Sequence, residues 1–170
     1  MIVAPSRPTD RAAVLEIAQR AGVFNAEEVA TAVELFDAYV KDPQCGYNYL
    51  SAYDEPGAVL GFACWGPASL SRGATDLYWI CADPQAQGQG VGAGLFNAVA
   101  AAVRASGRWL IAIWTSSVPA YEPARRFYAR MGCTLSMQLK DFYDRGDDLC
   151  VYTLQLDPAF TLARSRVSGS

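Results

Sequence analysis

The sequence predicts an α+β fold of three layers, with helices packed on a mixed sheet of six to seven strands. Three observations carry this. An extended apolar segment, Asp76 to Ala82, runs into the glycine-rich turn Gln87-Gly88-Gln89-Gly90-Val91-Gly92. Val91, Leu95, Val99 and Val103 follow at helical spacing, and a second apolar run, Trp109 to Trp114, comes after them. Strand, helix and strand in that order make a β-α-β unit, whose two strands should be parallel and its crossover right-handed. Lastly, the segments Cys133 to Tyr143 and Asp148 to Leu156 read as two strands joined by the polar turn Asp144-Arg145-Gly146-Asp147.

The remaining elements follow along the chain. Ile2 to Ala4 is a short first strand ended by Pro5. Thr9 or Asp10 caps a helix with Val14, Ile17, Ala18 and Ala21 on one face, and Gly22 stops it. Asn25 and Glu28 have the spacing of a capping box, and the helix they open carries Val29, Ala32, Val33, Phe36 and Val40 on one side. Tyr47 to Tyr53 and Ala58 to Trp65 form a hairpin around the turn Asp54-Glu55-Pro56-Gly57. A loop of small residues, Gly66 to Gly73, leads into the strand before the glycine turn. The continuous apolar run Trp109 to Trp114 fits a strand buried on both faces. Pro119 to Met131 is helical, with Gly132 as its stop. The order is β-α-α-β-β-β-α-β-α-β-β, one domain over residues 1–156, and a polar tail over 157–170 expected to be disordered.

Composition excludes several classes. The 170 residues are 52% apolar, 18% charged and carry a formal net charge of −3. That mild acidity argues against a nucleic-acid partner, which needs a basic face. The sequence contains no histidine, so no His-dependent triad or His-ligated metal site exists. Acid and base must come from Asp, Glu, Tyr, Cys or Lys. The five cysteines, Cys45, Cys64, Cys81, Cys133 and Cys150, include no C-x-x-C pair and read as small buried hydrophobes in a reducing compartment. No metal is expected. The apolar start Met1 to Pro5 is short for a signal peptide and no apolar run reaches membrane-spanning length, so a cytoplasmic protein without membrane contact is expected.

The glycine turn is the most informative feature. Glycine allows close approach of a ligand to the backbone, and the first amides of the helix point outward with the positive end of the helix dipole behind them. That combination cradles a phosphate or pyrophosphate. Three patterns compete. A P-loop needs Lys-Ser or Lys-Thr closing the turn, and neither is present. Gly88, Gly90 and Ala93 satisfy a dinucleotide fingerprint, but Arg108 to Val118 lacks the acidic residue that would hold a ribose. Gln87, Gly90 and Gly92 give Gln-x-x-Gly-x-Gly.

This third pattern resembles the coenzyme A pyrophosphate loop of the GCN5-related N-acetyltransferases (GNAT family). The segment Tyr121 to Cys133, with Ala124, Phe127, Tyr128 and Gly132, is similar to the second signature of that family, and the predicted element order is similar to its fold over roughly residues 2–156. The resemblance implies splayed parallel strands around the loop, and acetyl-CoA as cofactor. It places Gln87, Gly88, Gln89, Gly90, Val91, Gly92 and Ala93 on the pyrophosphate. It places Ile80, Cys81 and Ala82 along the pantetheine arm, an amide near Ile80 polarising the thioester. Ser117, Tyr121, Ala124, Phe127 and Arg130 would complete the coenzyme site, with Arg125 and Arg126 also available for its 3′-phosphate. Tyr121 stands where the family has asparagine.

The same resemblance makes Tyr128 the general acid for the departing thiolate. A free tyrosine has a pKa near ~10 and is protonated at neutral pH. The plainer alternative is a tyrosine packing its ring on the sheet. Asp76 lies where some family members carry a catalytic glutamate, and is either the base or a solvated strand-start residue. Glu122 is the other carboxylate, or else a favourable charge at a helix start. The acceptor would be a primary amine, of a small molecule or of a protein N-terminus. The hairpin Asp141 to Asp148 is similar to a segment of ribosomal-protein alanine acetyltransferases, and Tyr47, Tyr49, Trp65, Tyr78 and Trp79 suit a cation as well as a core. The expected activity is direct N-acetyl transfer by a monomer or homodimer. The alternative is an inactive acyl-CoA-binding module.

Overall fold

Capping chemistry and periodic apolar residues set the helices where the sequence places them. The structure is a computed structural model and describes residues 1–156; the expectation for 157–170 lies outside the described residues. The elements are β1 (Ile2–Pro5), α1 (Arg11–Arg20), α2 (Ala26–Lys41), β2 (Asn48–Tyr53), β3 (Val59–Pro67), β4 (Ala74–Ala82), α3 (Val91–Ala105), β5 (Leu110–Ser116), α4 (Glu122–Arg130), β6 (Thr134–Asp144) and β7 (Asp147–Gln155). The strands form one mixed sheet in the order β1-β2-β3-β4-β5-β7-β6. No helix among the described residues is long and apolar enough to cross a membrane.

Two compact units divide the chain: Met1–Pro67 with Leu77–Ala101, and Ala68–Asp76 with the residues from Ala102 on. In the first, Asn25 Oδ1 accepts from the Glu28 amide at 2.9 Å and Glu28 Oε2 accepts from the Asn25 amide at 2.8 Å, the reciprocal box that starts α2. Asp10 caps differently from the expectation. Its carboxylate accepts from the Arg7 amide at 2.7 Å and from the Tyr53 hydroxyl at 2.5 Å, tying the turn before α1 to the end of β2. Val14, Ile17 and Ala18 of α1 and Val29 and Phe36 of α2 pack with Tyr49, Phe62, Cys64 and Cys81 of the strands. The Tyr49 hydroxyl, inside this core, donates to the Ala32 carbonyl at 2.6 Å. Val40, expected on the core side, is exposed, because α2 runs one turn past Phe36, the last residue it buries fully.

The second unit is built on antiparallel pairing of β5 with β7 and of β7 with β6. Ile111 and Ile113 of β5 are buried, whereas Trp109 and Trp114 are exposed. The expectation of a strand buried on both faces is therefore corrected: β5 alternates, with a single apolar side turned inward. Gly73 explains why Trp109 stays put beside the strand. A Cβ at Gly73 would fall 2.1 Å from the indole, so only glycine leaves room for the ring.

Candidate active site

The loop after β4 is shaped from within the first unit. Asp83 ends the strand; its amide donates to the Leu60 carbonyl at 2.8 Å and its carboxylate pairs with Arg20 at 3.2 Å. Asp83 Oδ1 also accepts from the Gln85 amide at 3.0 Å, starting the single turn Pro84–Ala86. Gly88 (φ +80°) and Gly90 (φ +78°) then take the left-handed backbone that other residues avoid. A Cβ at either would meet nothing within 4 Å, so conformation and not crowding within the chain demands glycine there.

The amides of this loop divide into two sets. Those of Gln87 and Gln89 turn back to the Pro84 and Ala86 carbonyls at 3.4 and 3.3 Å. Those of Gly88, Gly90, Val91, Gly92 and Ala93 have no hydrogen-bond partner among the described residues, and Gly94 is the first to bond in helical fashion, to Gly90 at 2.9 Å. Of the seven residues expected on a pyrophosphate, five thus present free main-chain donors and two retain only their exposed side chains for the purpose. Gln87, Gly88, Gln89 and Gly90 are all exposed. Ile80 and Ala82 are half-buried and Cys81 is buried, its thiol pushed up to about 12 by burial.

In the second unit, β4 and β5 pair in parallel over three positions, Ala74 with Leu110, Thr75 with Ile111 and Asp76 with Ala112. β4 continues to Ala82 and β5 to Ser116. Asp76 is half-buried and has no hydrogen bond or ion pair among the described residues, and desolvation raises its carboxyl above the ordinary carboxylate range. Tyr128 is buried, 8% exposed, with its ring against Phe127 at 5.7 Å and Tyr152 at 5.9 Å. Gly132 (φ +84°) closes α4, and the Cys133 amide donates to the Tyr128 carbonyl at 3.0 Å.

The other expected residues separate into engaged and free. Glu122 is held by Arg126 at 2.6 Å in the first turn of α4, the favourable charge at a helix start. Arg125 donates to the Ser116 and Val118 carbonyls at 2.6 and 3.0 Å, so it braces the end of β5 instead of standing free for a phosphate. Ser117 takes the Asp148 amide on its hydroxyl at 2.8 Å, and Ser116 donates to Asp147 at 2.5 Å. Tyr121, Ala124 and Phe127 are half-buried, and Arg130 is exposed with no ion pair among the described residues. Of the aromatics expected near an acceptor, Tyr49 and Trp65 are core residues, while Tyr78 is exposed against Tyr47 at 5.8 Å. Asp147, which fixes both serines, went unnoticed in the sequence because it reads there as an ordinary turn residue.

A mixed sheet of this order, carrying an amide-lined loop between its parallel strands, places the chain among the acetyltransferase folds. The family model for the acetyltransferase (GNAT) domain matches residues 45–132, and the chain belongs to that family. The chain is similar to a crystal structure from Desulfovibrio desulfuricans described as an acetyltransferase of the GNAT family, at 35% identity and a TM-score of 0.88, covering 92% of this chain and 99% of that one. It shares its fold with an acetyltransferase from Salmonella typhimurium solved with acetyl-CoA, at 24% identity and a TM-score of 0.73, covering 92% and 94% of the two chains. The same holds for the ribosomal-protein-S18-alanine N-acetyltransferase of Escherichia coli, at 18% identity and a TM-score of 0.72, also covering 92% and 94%. These last two likenesses show the fold alone. No curated protein matches the sequence.

Proposed function

We propose that the chain moves an acetyl group directly from acetyl-CoA to a primary amine. The observation that carries this reading is the run of five free amides, at Gly88 and from Gly90 to Ala93, at the start of a fifteen-residue helix. Such a fan of N–H groups suits a diphosphate and needs no metal to do so. Gln87 and Gln89 would add side-chain contacts, and Arg130 is the cation left for a further phosphate.

Acetyl-CoA supplies an acyl group already activated as a thioester. The residues have three tasks. Ile80, Cys81 and Ala82 would bind the pantetheine arm through their main chain, and the amide near Ile80 would polarise the thioester carbonyl. Asp76 would take the proton from the ammonium, directly or through one water, freeing the lone pair that attacks. Its raised pKa brings its basicity nearer that of the group it must deprotonate. Tyr128 would give its hydroxyl proton to the departing thiolate, and regain one from solvent after release. Ala124, Phe127, Ser117 and Tyr121 would pack against or bond the coenzyme. Glu122 ranks below Asp76 as base because Arg126 already neutralises it.

Isothermal titration with acetyl-CoA and a thiol-release assay over an amine panel test this together. Saturable binding with amine-dependent thiol release is expected. Tight binding without release for any amine would instead leave an acyl-CoA-binding module.

A further inference from the structure

Within the second unit, the register sets Asp76 beside Ala112, and Trp114 follows two residues along the same strand. Residues paired laterally or two apart share a sheet face, so Asp76, Ala112 and Trp114 point the same way. Ile113 and Tyr152, paired with each other, point the opposite way, and α4 packs on that side through the Tyr128–Tyr152 contact. The face bearing Asp76 is therefore not the one α4 covers. A strand spacing of about 4.8 Å and a rise of about 3.3 Å per residue put the Asp76 and Trp114 Cα atoms roughly 8 Å apart.

Trp114 does not stand alone. Its ring meets Phe142 edge-on at 6.3 Å and 71°, and Phe142 meets Tyr143 at 5.1 Å and 88°. The three are 54%, 50% and 47% exposed. The core rings of the protein are buried elsewhere, so packing does not account for this cluster. It is held by a left-handed turn: Asp141 has φ +52°, a conformation that aspartate takes more readily than most residues because its short side chain bonds locally. Its carboxylate accepts from the Gly146 amide at 2.7 Å, and its amide donates to Asp148 at 2.9 Å. The β6–β7 pairing is irregular between Leu139 and Asp144, which frees Phe142 and Tyr143 from the regular alternation. A turn that holds three aromatic rings half in water points to a task for them.

We propose that Trp114, Phe142 and Tyr143 form the acceptor seat, taking a small primary amine with an aromatic or branched apolar group, its ammonium directed to Asp76. The proposal rests on the acetyl-transfer reading only for the fate of the bound amine. Ring faces attract an ammonium and stack against an apolar group, and the unpaired Asp76 carboxylate supplies the complementary charge. Three rings beside one carboxylate match a compact cation with a single apolar group, and an extended peptide, which could also reach the outer edge of β6, is left as an outcome of the test.

Calorimetric titration of the full chain with 2-phenylethylamine, methylamine and a peptide with N-terminal phenylalanine tests this. The aromatic amine should bind at least about tenfold more tightly than methylamine. Trp114→Ala and, separately, Phe142→Ala should abolish that preference and leave acetyl-CoA affinity unchanged. Equal binding of the two amines, or a preference that survives both variants, would overturn the proposal. So would tighter binding of the peptide, or a dimer in sedimentation that Trp114→Ala splits, since a second copy would then be what covers the rings. Loss of acetyl-CoA binding alone, with the amine preference intact, would remove the acetyl-transfer reading and leave the amine seat standing.

Discussion

Asp76 pairs with Ala112 in the parallel β4–β5 ladder, and its carboxylate has no hydrogen-bond or ion-pair partner among the described residues. Burial without compensation raises its pKa, so the folded state binds the proton more tightly than the unfolded one. The sign follows: stability contributed by this group falls as the pH rises from the unfolded value near ~3.9 through the raised folded value. Asp76→Asn should therefore be more stable than the parent at pH 7 in urea titrations, with the difference shrinking as the pH approaches ~4. Parallel stability curves over that range would mean the carboxyl is not desolvated. The same variant should lower kcat/KM by roughly 10²–10⁴ and remove the acid limb of its pH profile.

Tyr128→Phe keeps the ring against Phe127 and Tyr152 and removes only the hydroxyl. Turnover with a basic amine should drop by at least about 10² if the hydroxyl protonates the thiolate. The affinity for acetyl-CoA, read by titration, should stay within a factor of about two, the scatter of a contact that binding does not use. Unchanged turnover would take Tyr128 out of the mechanism.

Gly90→Val meets no obstacle within the chain but needs φ near +78° from a β-branched residue. Fold stability should fall by about 1–2 kcal/mol. Acetyl-CoA should cease to raise the melting temperature, because the added side chain stands over the amide fan. A normal ligand-induced shift would show that the diphosphate lies elsewhere.

Burial pushes the thiols of Cys64 and Cys81 up to about 12 and that of Cys133 up to about 11. Native protein at pH 8 should therefore react with iodoacetamide at Cys45, the one cysteine that is not buried, and all five should react in guanidinium. Peptide mass spectrometry reads the outcome, and early labelling at Cys81 would show that β4 opens readily.

Local signals were legible wherever one stretch of chain decides its own conformation. Asn25 and Glu28 announced α2, and Gly88 and Gly90 announced the turn before α3. Pairing across the sheet was not legible. The exposure of Trp114 depends on which face of β5 finds cover, and the run of apolar letters conceals that. Tyr49 and Trp65 read as candidates for an acceptor because the sequence does not show that α2 lies over Tyr49. The engagement of Arg125 and Ser116 depends on carbonyls and a carboxylate that only folding brings near. Phe142 and Tyr143 read as the end of a strand in a hairpin, since an aspartate inside a strand pattern does not by itself announce the left-handed bend at Asp141.

A side chain at Gly61 would place its Cβ 2.5 Å from the Cys81 carbonyl and 2.8 Å from Val91. Strand β3 thus sets how close the first turn of α3 can lie, and with it the aim of every free amide at that turn. A methyl group thirty residues upstream would push on the start of that helix. A library randomised at position 61 and sorted for acetyl-CoA retention should return almost nothing but glycine.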